Sequence, residues 1–214
     1  MVLAPFQHWG LDFIGQFKNN SSNGFSWILT ATHYFTKWVE AIPTKRATDK
    51  VVLDFLENKI ITRLGAPTKI TTDNAKDFHL VDFTYFFFKY DIVLSHSSDY
   101  YPHGNGLAKS SNKTLMTILN KKIGNKKMSW DSKIKYAVWD DRITMKSATR
   151  KTPFELVYGL TVSFLVYLQL PAMKMLQEYE MEEESMCNMI NHIIELDENQ
   201  RNVLDISIRN REKV

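Results

Sequence analysis

An apolar run near the start of the chain constrains the fold more than any other feature, because it alternates as a β-strand does and carries one carboxylate. Its odd-numbered positions form one face of the strand: Trp9, Leu11, Phe13 and Gly15. The opposite face carries Asp12 beside Ile14. A carboxylate in such a strand is costly unless it is hydrogen-bonded or paired. Asp12 is therefore either a structural acceptor for nearby amides or part of a functional site.

The order of the apolar segments predicts an α/β fold. Strand-like runs recur at short spacing, Thr48 is suited to begin a helix, and Gly65 is suited to end it. The predicted elements are strands at 6–17, 25–33, 37–42, 68–72 and 92–95, and helices at 48–64, 81–90, 107–123, 129–142 and 153–158. Three strands, helix, strand, helix, strand and then helices is the order of the ribonuclease-H-like fold, a five-stranded mixed sheet flanked by helices.

Charge divides the chain into two parts. Residues 1–160 carry 22 basic and 14 acidic groups, whereas residues 161–214 carry five basic and ten acidic groups. We predict a core domain over 1–160 and an acidic, amphipathic helical extension over 161–214. The basic core fits either a nucleic-acid-binding surface or an ordinary solvated one.

Composition excludes several classes of protein. No run approaches the roughly 18 uncharged apolar residues of a membrane helix, and the first residues lack the pattern of a signal peptide. The single cysteine, Cys187, excludes an internal disulfide, and the six histidines are too scattered to build a zinc site. These features predict an intracellular protein that does not enter a membrane.

A second carboxylate, Asp73, closes the apolar run at 69–74, and thirty-five residues separate it from Lys109. Around these positions stand five segments in a fixed order: Trp9–Gly15, Tyr34–Ala41, Gly65–Asn74, Tyr101–Gly106 and Thr152–Gly159. Together they resemble the integrase catalytic core of gypsy-type LTR retrotransposons, a branch of the retroviral integrase family.

The resemblance implies phosphoryl transfer on DNA by two aspartates and a glutamate that hold divalent metal ions. Carried over by position, Asp12 and Asp73 would be catalytic and would bind Mg²⁺ or Mn²⁺. Lys109 stands at the position of the glutamate, and no acidic residue occurs between Asp99 and Asp131 to replace it. We therefore expect impaired metal binding and defective catalysis. The alternative is an active polynucleotidyl transferase in which another carboxylate supplies the missing ligand.

The resemblance also implies that the helix after Gly106 faces DNA. The residues predicted to contact DNA are Asn105, Lys109, Lys113, Lys121 and Lys122. A solvated lysine-rich helix is the alternative interpretation, and a non-catalytic protein-interaction module is the corresponding alternative for the whole chain. The resemblance further implies a homo-oligomer that acts on DNA in the nucleus and has no small-molecule substrate.

Other departures from the family pattern accompany Lys109. His33 stands where the family usually has aspartate, Ala75 where it has glycine, and His103 where it has glutamine. Asp140 and Asp141 stand where an alanine and a tyrosine are common. Several unusual residues in one set of motifs suggest relaxed selection on the catalytic function.

Overall fold

The computed structural model describes residues 6–17, 20–72, 81–96, 106–123 and 130–160, together with residues 198 and 202. The chain divides into two compact units, Met1–Arg142 and Ile143–Val214. Apart from Glu198 and Asn202, the predicted helical extension at 161–214 lies outside the described residues. The domain boundary at residue 160 therefore stays a prediction.

Five strands of the first unit form one mixed sheet in the order β3-β2-β1-β4-β5. The strands are β1 (His8–Gly15), β2 (Trp27–His33), β3 (Val39–Thr44), β4 (Lys69–Thr72) and β5 (Val93–His96). The first three form an antiparallel meander, whereas β4 pairs with β1 and β5 pairs with β4 in parallel. The five-stranded mixed sheet predicted from the element order is confirmed.

The helix predicted at 48–64 forms in three parts. They are α1 (Asp49–Phe55), a wider π-helical segment (Leu56–Ile61) and α2 (Thr62–Leu64). Two side chains donate to backbone carbonyls here, Asn58 to Asp54 at 2.7 Å and Thr62 to Asn58 at 3.2 Å. Such bonds compete with the regular helical ladder, and apolar spacing does not reveal the change because Leu56 and Ile60 still fall one turn apart. Gly65 ends the helix as predicted, with φ of +87°.

The remaining helices are α3 (Val81–Lys89), α4 (Gly106–Ile123), α5 (Trp130–Ile143) and α6 (Pro153–Tyr158). Helices α4 and α5 cover the face of the sheet that carries Asp12. The buried cluster between sheet and helices consists of Ile28, Val39, Leu115, Leu119, Trp130, Ile134, Ala137 and Val138, and Ile14 packs against it. Trp9 and Leu11 are buried as well. The predicted division of β1 into two faces is therefore confirmed.

A buried ion pair ties the end of α5 to β3. The Arg142 guanidinium lies 2.6 Å from the Glu40 carboxylate, donates to the Val39 carbonyl at 2.7 Å, and lies 4.0 Å over the Trp38 ring. Arg63 contacts the same carboxylate at 3.2 Å, but its side chain is 46% exposed against 13% for Arg142. Arg142 is therefore the main partner that compensates the burial of Glu40.

In the second unit, α6 begins at a complete capping box. The Thr152 hydroxyl accepts from the Glu155 amide at 3.0 Å, and the Glu155 carboxylate accepts from the Thr152 amide at 2.8 Å. Gly159 ends the helix with φ of +71°. Among the described residues, no helix has the length and apolar character needed to cross a membrane.

Candidate functional site on strand β1 and helix α4

Asp12 lies in the middle of β1, on the face that α4 covers. The parallel register pairs Leu11 of β1 with Thr72, the last residue of β4. In sequence, the next residue of each strand is an aspartate, Asp12 after Leu11 and Asp73 after Thr72. Asp73 itself lies outside the described residues, so its part in the site stays a prediction.

The carboxylate of Asp12 is held by a side chain from α4. Asn112 donates from Nδ2 to Oδ2 of Asp12 at 2.8 Å. The Thr30 hydroxyl on β2 lies 2.9 Å from Oδ1 of Asn112 and 3.0 Å from the carbonyl oxygen of Asp12. Asn112 is 7% exposed and Thr30 is fully buried. Three elements therefore fix the position of this carboxylate.

Sequence reasoning missed both Asn112 and Thr30. A signal for Asn112 was present, because the buried positions of α4 recur at helical spacing and one of them is polar. Those positions are Ala108, Asn112, Leu115 and Leu119. An amide among apolar residues on the packed face of a helix needs a buried partner, and the nearest polar group across the interface is the carboxylate of Asp12.

Lys109 lies on α4 three residues before Asn112, and its side chain is exposed. Lys113, also exposed, follows four residues after Lys109. Residues three or four apart are neighbours on a helix surface. Lys109 therefore lies beside Asn112 on the helix surface, one turn from the residue that contacts Asp12.

The other residues predicted to bind DNA differ in their surroundings. Lys121 is exposed in the last turn of α4. Lys122 pairs with Asp140 of α5, its Nζ lying 2.7 Å from Oδ2. Asp140, one of the departures from the family pattern, thus forms an ion pair that links α5 to α4. Asn105 lies outside the described residues.

The described residues do not fit a divalent metal ion. Asp12 offers one carboxylate, whose Oδ2 already accepts the Asn112 amide, and the third family position is a lysine. Within the described ranges, no three His, Cys, Asp or Glu side chains lie close enough together to hold a metal ion. The prediction that Asp12 and Asp73 bind Mg²⁺ or Mn²⁺ depends on Asp73 and stays a prediction.

His33, another departure from the family pattern, is buried at the end of β2. Its ring accepts a hydrogen bond from the backbone of the turn that follows. Its Nδ1 accepts the Thr36 amide at 3.1 Å and lies 2.8 Å from the Thr36 hydroxyl. Burial, with smaller contributions from Lys37 and His8, lowers the pKa of His33 to about 3. The neutral ring thus accepts an amide proton as a carboxylate would. The other two departures, Ala75 and His103, lie outside the described residues.

Residues 3–102 match the family described as "Integrase core domain". The matched segment contains the whole five-stranded sheet and ends before α4, so Asp12 and Asp73 lie inside it and Lys109 lies beyond it.

Curated polyproteins show similarity over a longer part of the chain. The Gag-Pol polyprotein of avian reticuloendotheliosis virus is 30% identical over 157 residues, 73% of this chain and 13% of that protein. The transposon Tf2-3 polyprotein of Schizosaccharomyces pombe is 26% identical over 169 residues, 78% of this chain and 12% of that protein. The chain thus spans about an eighth of the length of these relatives, and the similarity covers about three quarters of the chain.

Solved structures confirm the ribonuclease-H-like fold. The HTLV-2 integrase catalytic core domain in complex with magnesium, in a trimeric form, superposes with a TM-score of 0.56 at 23% identity, over 72% of this chain and 97% of that one. A chain of the simian T-cell lymphotropic virus intasome in complex with PP2A regulatory subunit B56 gamma gives 0.64 at 24% identity, over 76% and 58%.

Proposed function

We propose that this chain, whose integrase core domain is related to those of retroviral-type polyproteins, is a remnant of a gypsy-type LTR retrotransposon that binds DNA without catalysing strand transfer. The observation that carries the proposal is Lys109, which lies one helical turn from the amide that contacts Asp12. The ordered motifs between residues 6 and 160 support the gypsy-type origin, and so does similarity to a transposon polyprotein.

The catalytic defect follows from the charge of Lys109. A glutamate at this position would attract a divalent cation, whereas an ammonium group repels one. At about 4 Å and an effective dielectric near 20, the repulsion between an ammonium and a dication approaches roughly 8 kcal/mol, and solvent at this exposed position reduces it. Since about 1.4 kcal/mol changes a rate tenfold, a small part of that repulsion abolishes useful turnover.

The DNA-binding half of the proposal rests on the exposed lysines of α4. Lys109, Lys113 and Lys121 are exposed on a helix that carries no acidic residue. Lysine ammonium groups suit contacts with the DNA backbone, which fix the position of a protein on DNA without reading its sequence. Lys122 is also exposed, and its ammonium group pairs with Asp140.

Assembly and location follow from the same proposal. The HTLV-2 core domain is trimeric and the simian virus chain belongs to an intasome. By analogy, we propose that this chain forms a homo-oligomer and meets DNA in the nucleus.

An assay of strand transfer and Mn²⁺-dependent nicking tests the catalytic defect. The native chain is compared with Lys109→Glu, with Lys109→Glu combined with Asp12→Asn, and with Lys50→Glu, which makes the same charge change at an exposed position of α1. We expect activity only for Lys109→Glu, and we expect Asp12→Asn to remove it.

Other outcomes contradict specific parts of the proposal. If the native chain is active and Asp12→Asn abolishes that activity, the chain is an active transferase with a compensating ligand. Inactivity of every variant would show that Lys109 is not the sole lesion. Failure of the native chain to bind DNA at low salt would favour the protein-interaction alternative.

A further inference from the structure

A groove lies where the end of β3 meets the start of α1, and none of its lining residues belongs to the candidate site. Its volume is about 560 Å³, which lies within the range of ligand pockets in proteins. Four of its lining residues are exposed, so the groove is open to solvent. An open groove of this size suits a short extended segment of another protein better than an enclosed small molecule.

Apolar side chains form one part of the groove. Phe25 precedes β2, Ile42 and Pro43 belong to β3, and Val51 belongs to α1. All four residues are half-buried, so part of each side chain still faces water. Covering these parts with an apolar side chain of a partner is favourable, because it removes apolar surface from water.

Three donors line the same groove: the Lys45 ammonium, the Arg46 guanidinium and the Thr48 hydroxyl. The Lys45 ammonium lies 5.9 Å from the centroid of the Phe25 ring, near the outer limit of a cation–π contact. Thr48 stands at the N-cap position of α1, yet its side chain makes no capping hydrogen bond. Within the described ranges, none of the three groups donates to a carboxylate.

We propose that this groove binds an extended acidic peptide segment of a partner protein. A large apolar side chain of the segment packs on Phe25, Ile42 and Val51, and a neighbouring carboxylate accepts from Lys45 and Arg46. Guanidinium and carboxylate groups form short, charge-assisted hydrogen bonds, often in parallel pairs. The inference goes beyond the proposed function, because none of these contacts involves DNA.

The groove favours recognition through side chains over addition of a strand to the sheet. β3 is the outermost strand of the described sheet, and Pro43 has no amide hydrogen to offer to a further strand. A strand of another chain therefore cannot pair continuously along this edge, and the apolar and cationic side chains carry the recognition.

The groove also favours a peptide over a DNA backbone. The exposed carboxylate of Asp54 lines it. An extended peptide offers this carboxylate an amide donor, whereas a DNA backbone offers it only like charge. A DNA backbone also brings no apolar side chain to cover Phe25 and Val51.

Fluorescence anisotropy with labelled heptapeptides tests the proposal. The probes have the sequence Gly-Asp-Glu-X-Glu-Asp-Gly, in which X is Leu, Ile, Met, Phe or Trp, and the control peptide has Ala at X. We expect saturable binding of at least one probe below about 1 mM. The Ala peptide is expected to bind at least about tenfold more weakly, because it leaves the apolar part of the groove uncovered.

Variants of the lining residues locate the binding. We expect Arg46→Gln and Lys45→Gln each to weaken it about fivefold to tenfold. The matched controls are Arg150→Gln and Lys50→Gln, exposed residues of the same types that do not line the groove, and their affinity is expected to stay unchanged. Val51→Trp fills the apolar part and is expected to abolish binding. Thermal unfolding of each variant verifies the fold.

Charge reversal gives the sharpest contrast. The double variant of Lys45→Glu and Arg46→Glu is expected to lose the acidic probe and to bind a peptide with Lys at each acidic position. The double variant of Lys50→Glu and Arg150→Glu changes the net charge equally and is expected to keep the preference of the native chain. The comparison separates contact in the groove from the effect of net charge.

Three results would overturn the proposal. One is the absence of saturable binding of every probe at about 1 mM. Another is an Arg46→Gln variant that binds as tightly as Arg150→Gln. The third is a DNA duplex whose binding is lost on reversal of Lys45 and Arg46 and kept in the control, which would assign the groove to DNA. The peptide results leave the proposed DNA binding by α4 untouched, so the two proposals fail separately.

Discussion

The amide nitrogen of Asn112 donates a hydrogen bond of 2.8 Å to Oδ2 of Asp12, although the two residues are 100 positions apart in the chain. The bond joins α4 to the centre of the sheet and satisfies a carboxylate in a strand that is otherwise largely apolar. Because Lys109 lies one turn from Asn112 on the same helix, the bond that holds α4 against Asp12 also positions the backbone of Lys109. The buried side chain of Asn112 therefore both holds the Asp12 carboxylate and packs α4 against the sheet.

We expect Asn112→Ala to destabilise the protein by about 2 kcal/mol, since it removes a buried hydrogen bond to a charged acceptor. The control is Asn120→Ala, an exposed residue of the same helix, which we expect to change the free energy of unfolding by less than about 0.5 kcal/mol. Urea denaturation measures both values. Equal stability of the two variants would show that the bond between Asn112 and Asp12 contributes little.

We expect Arg142→Leu to lower the free energy of unfolding by roughly 3 kcal/mol, because it leaves the buried Glu40 carboxylate without its closest partner. Arg63→Leu removes the second cationic partner of Glu40 and is expected to cost less than about 1 kcal/mol, because the Arg63 side chain is 46% exposed. Chemical denaturation of both variants gives the comparison. A larger effect at Arg63 would contradict the assignment of Arg142 as the main partner.

Stability is expected to depend on pH through His33. Its pKa is about 3 in the folded protein and 6.5 in the unfolded chain, so the unfolded chain binds the extra proton between these values. The stabilisation is therefore complete above pH 6.5 and is lost as pH falls towards 3.

The replacement His33→Asn keeps an acceptor for the Thr36 amide and removes the titration. As pH falls from 6.5 to 4.5, we expect the unfolding free energy of this variant to fall less steeply than that of the native protein. The two slopes are expected to differ by up to about 1.4 kcal/mol per pH unit. Denaturation at several pH values measures the two slopes. Parallel curves would show that His33 does not titrate in this way.

We expect Gly65→Ala to destabilise the protein by about 1–2 kcal/mol, because φ of +87° strains any residue with a β-carbon. A β-carbon built there meets nothing within 4 Å, so the cost is conformational and not steric. Gly106→Ala is the matched control, since that glycine also has open space and begins α4 without a positive φ of the kind found at Gly65. Its stability is expected to be unchanged or slightly higher, as thermal unfolding would show.

The alternation of apolar residues was sufficient to predict the five strands, and helical spacing was sufficient to predict the helices, to within a few residues at most ends. The π-helical segment at Leu56–Ile61 was not predictable, because apolar spacing stays compatible with a regular helix. Asp12 was singled out as a carboxylate in an apolar strand, and Lys109 was singled out by the resemblance to the integrase catalytic core. Asn112 and Thr30 were missed, because their hydrogen-bond partners are far away in sequence.

The sequence by itself determined the features that depend on neighbouring residues. The capping box of Thr152 and Glu155 spans three positions, and the two faces of β1 follow from a period of two. These interactions are local, so composition and spacing suffice to specify them.

Tertiary structure alone decided which polar groups meet. Packing of α4 on the sheet brought Asn112 to Asp12, the end of α5 brought Arg142 to Glu40, and Lys122 met Asp140 between two helices. The first two contacts satisfy carboxylates that would be costly to bury unpaired. The third is a partly exposed ion pair, which contributes little. Because the partners are set by the packing of whole elements, no local pattern in the sequence specifies them.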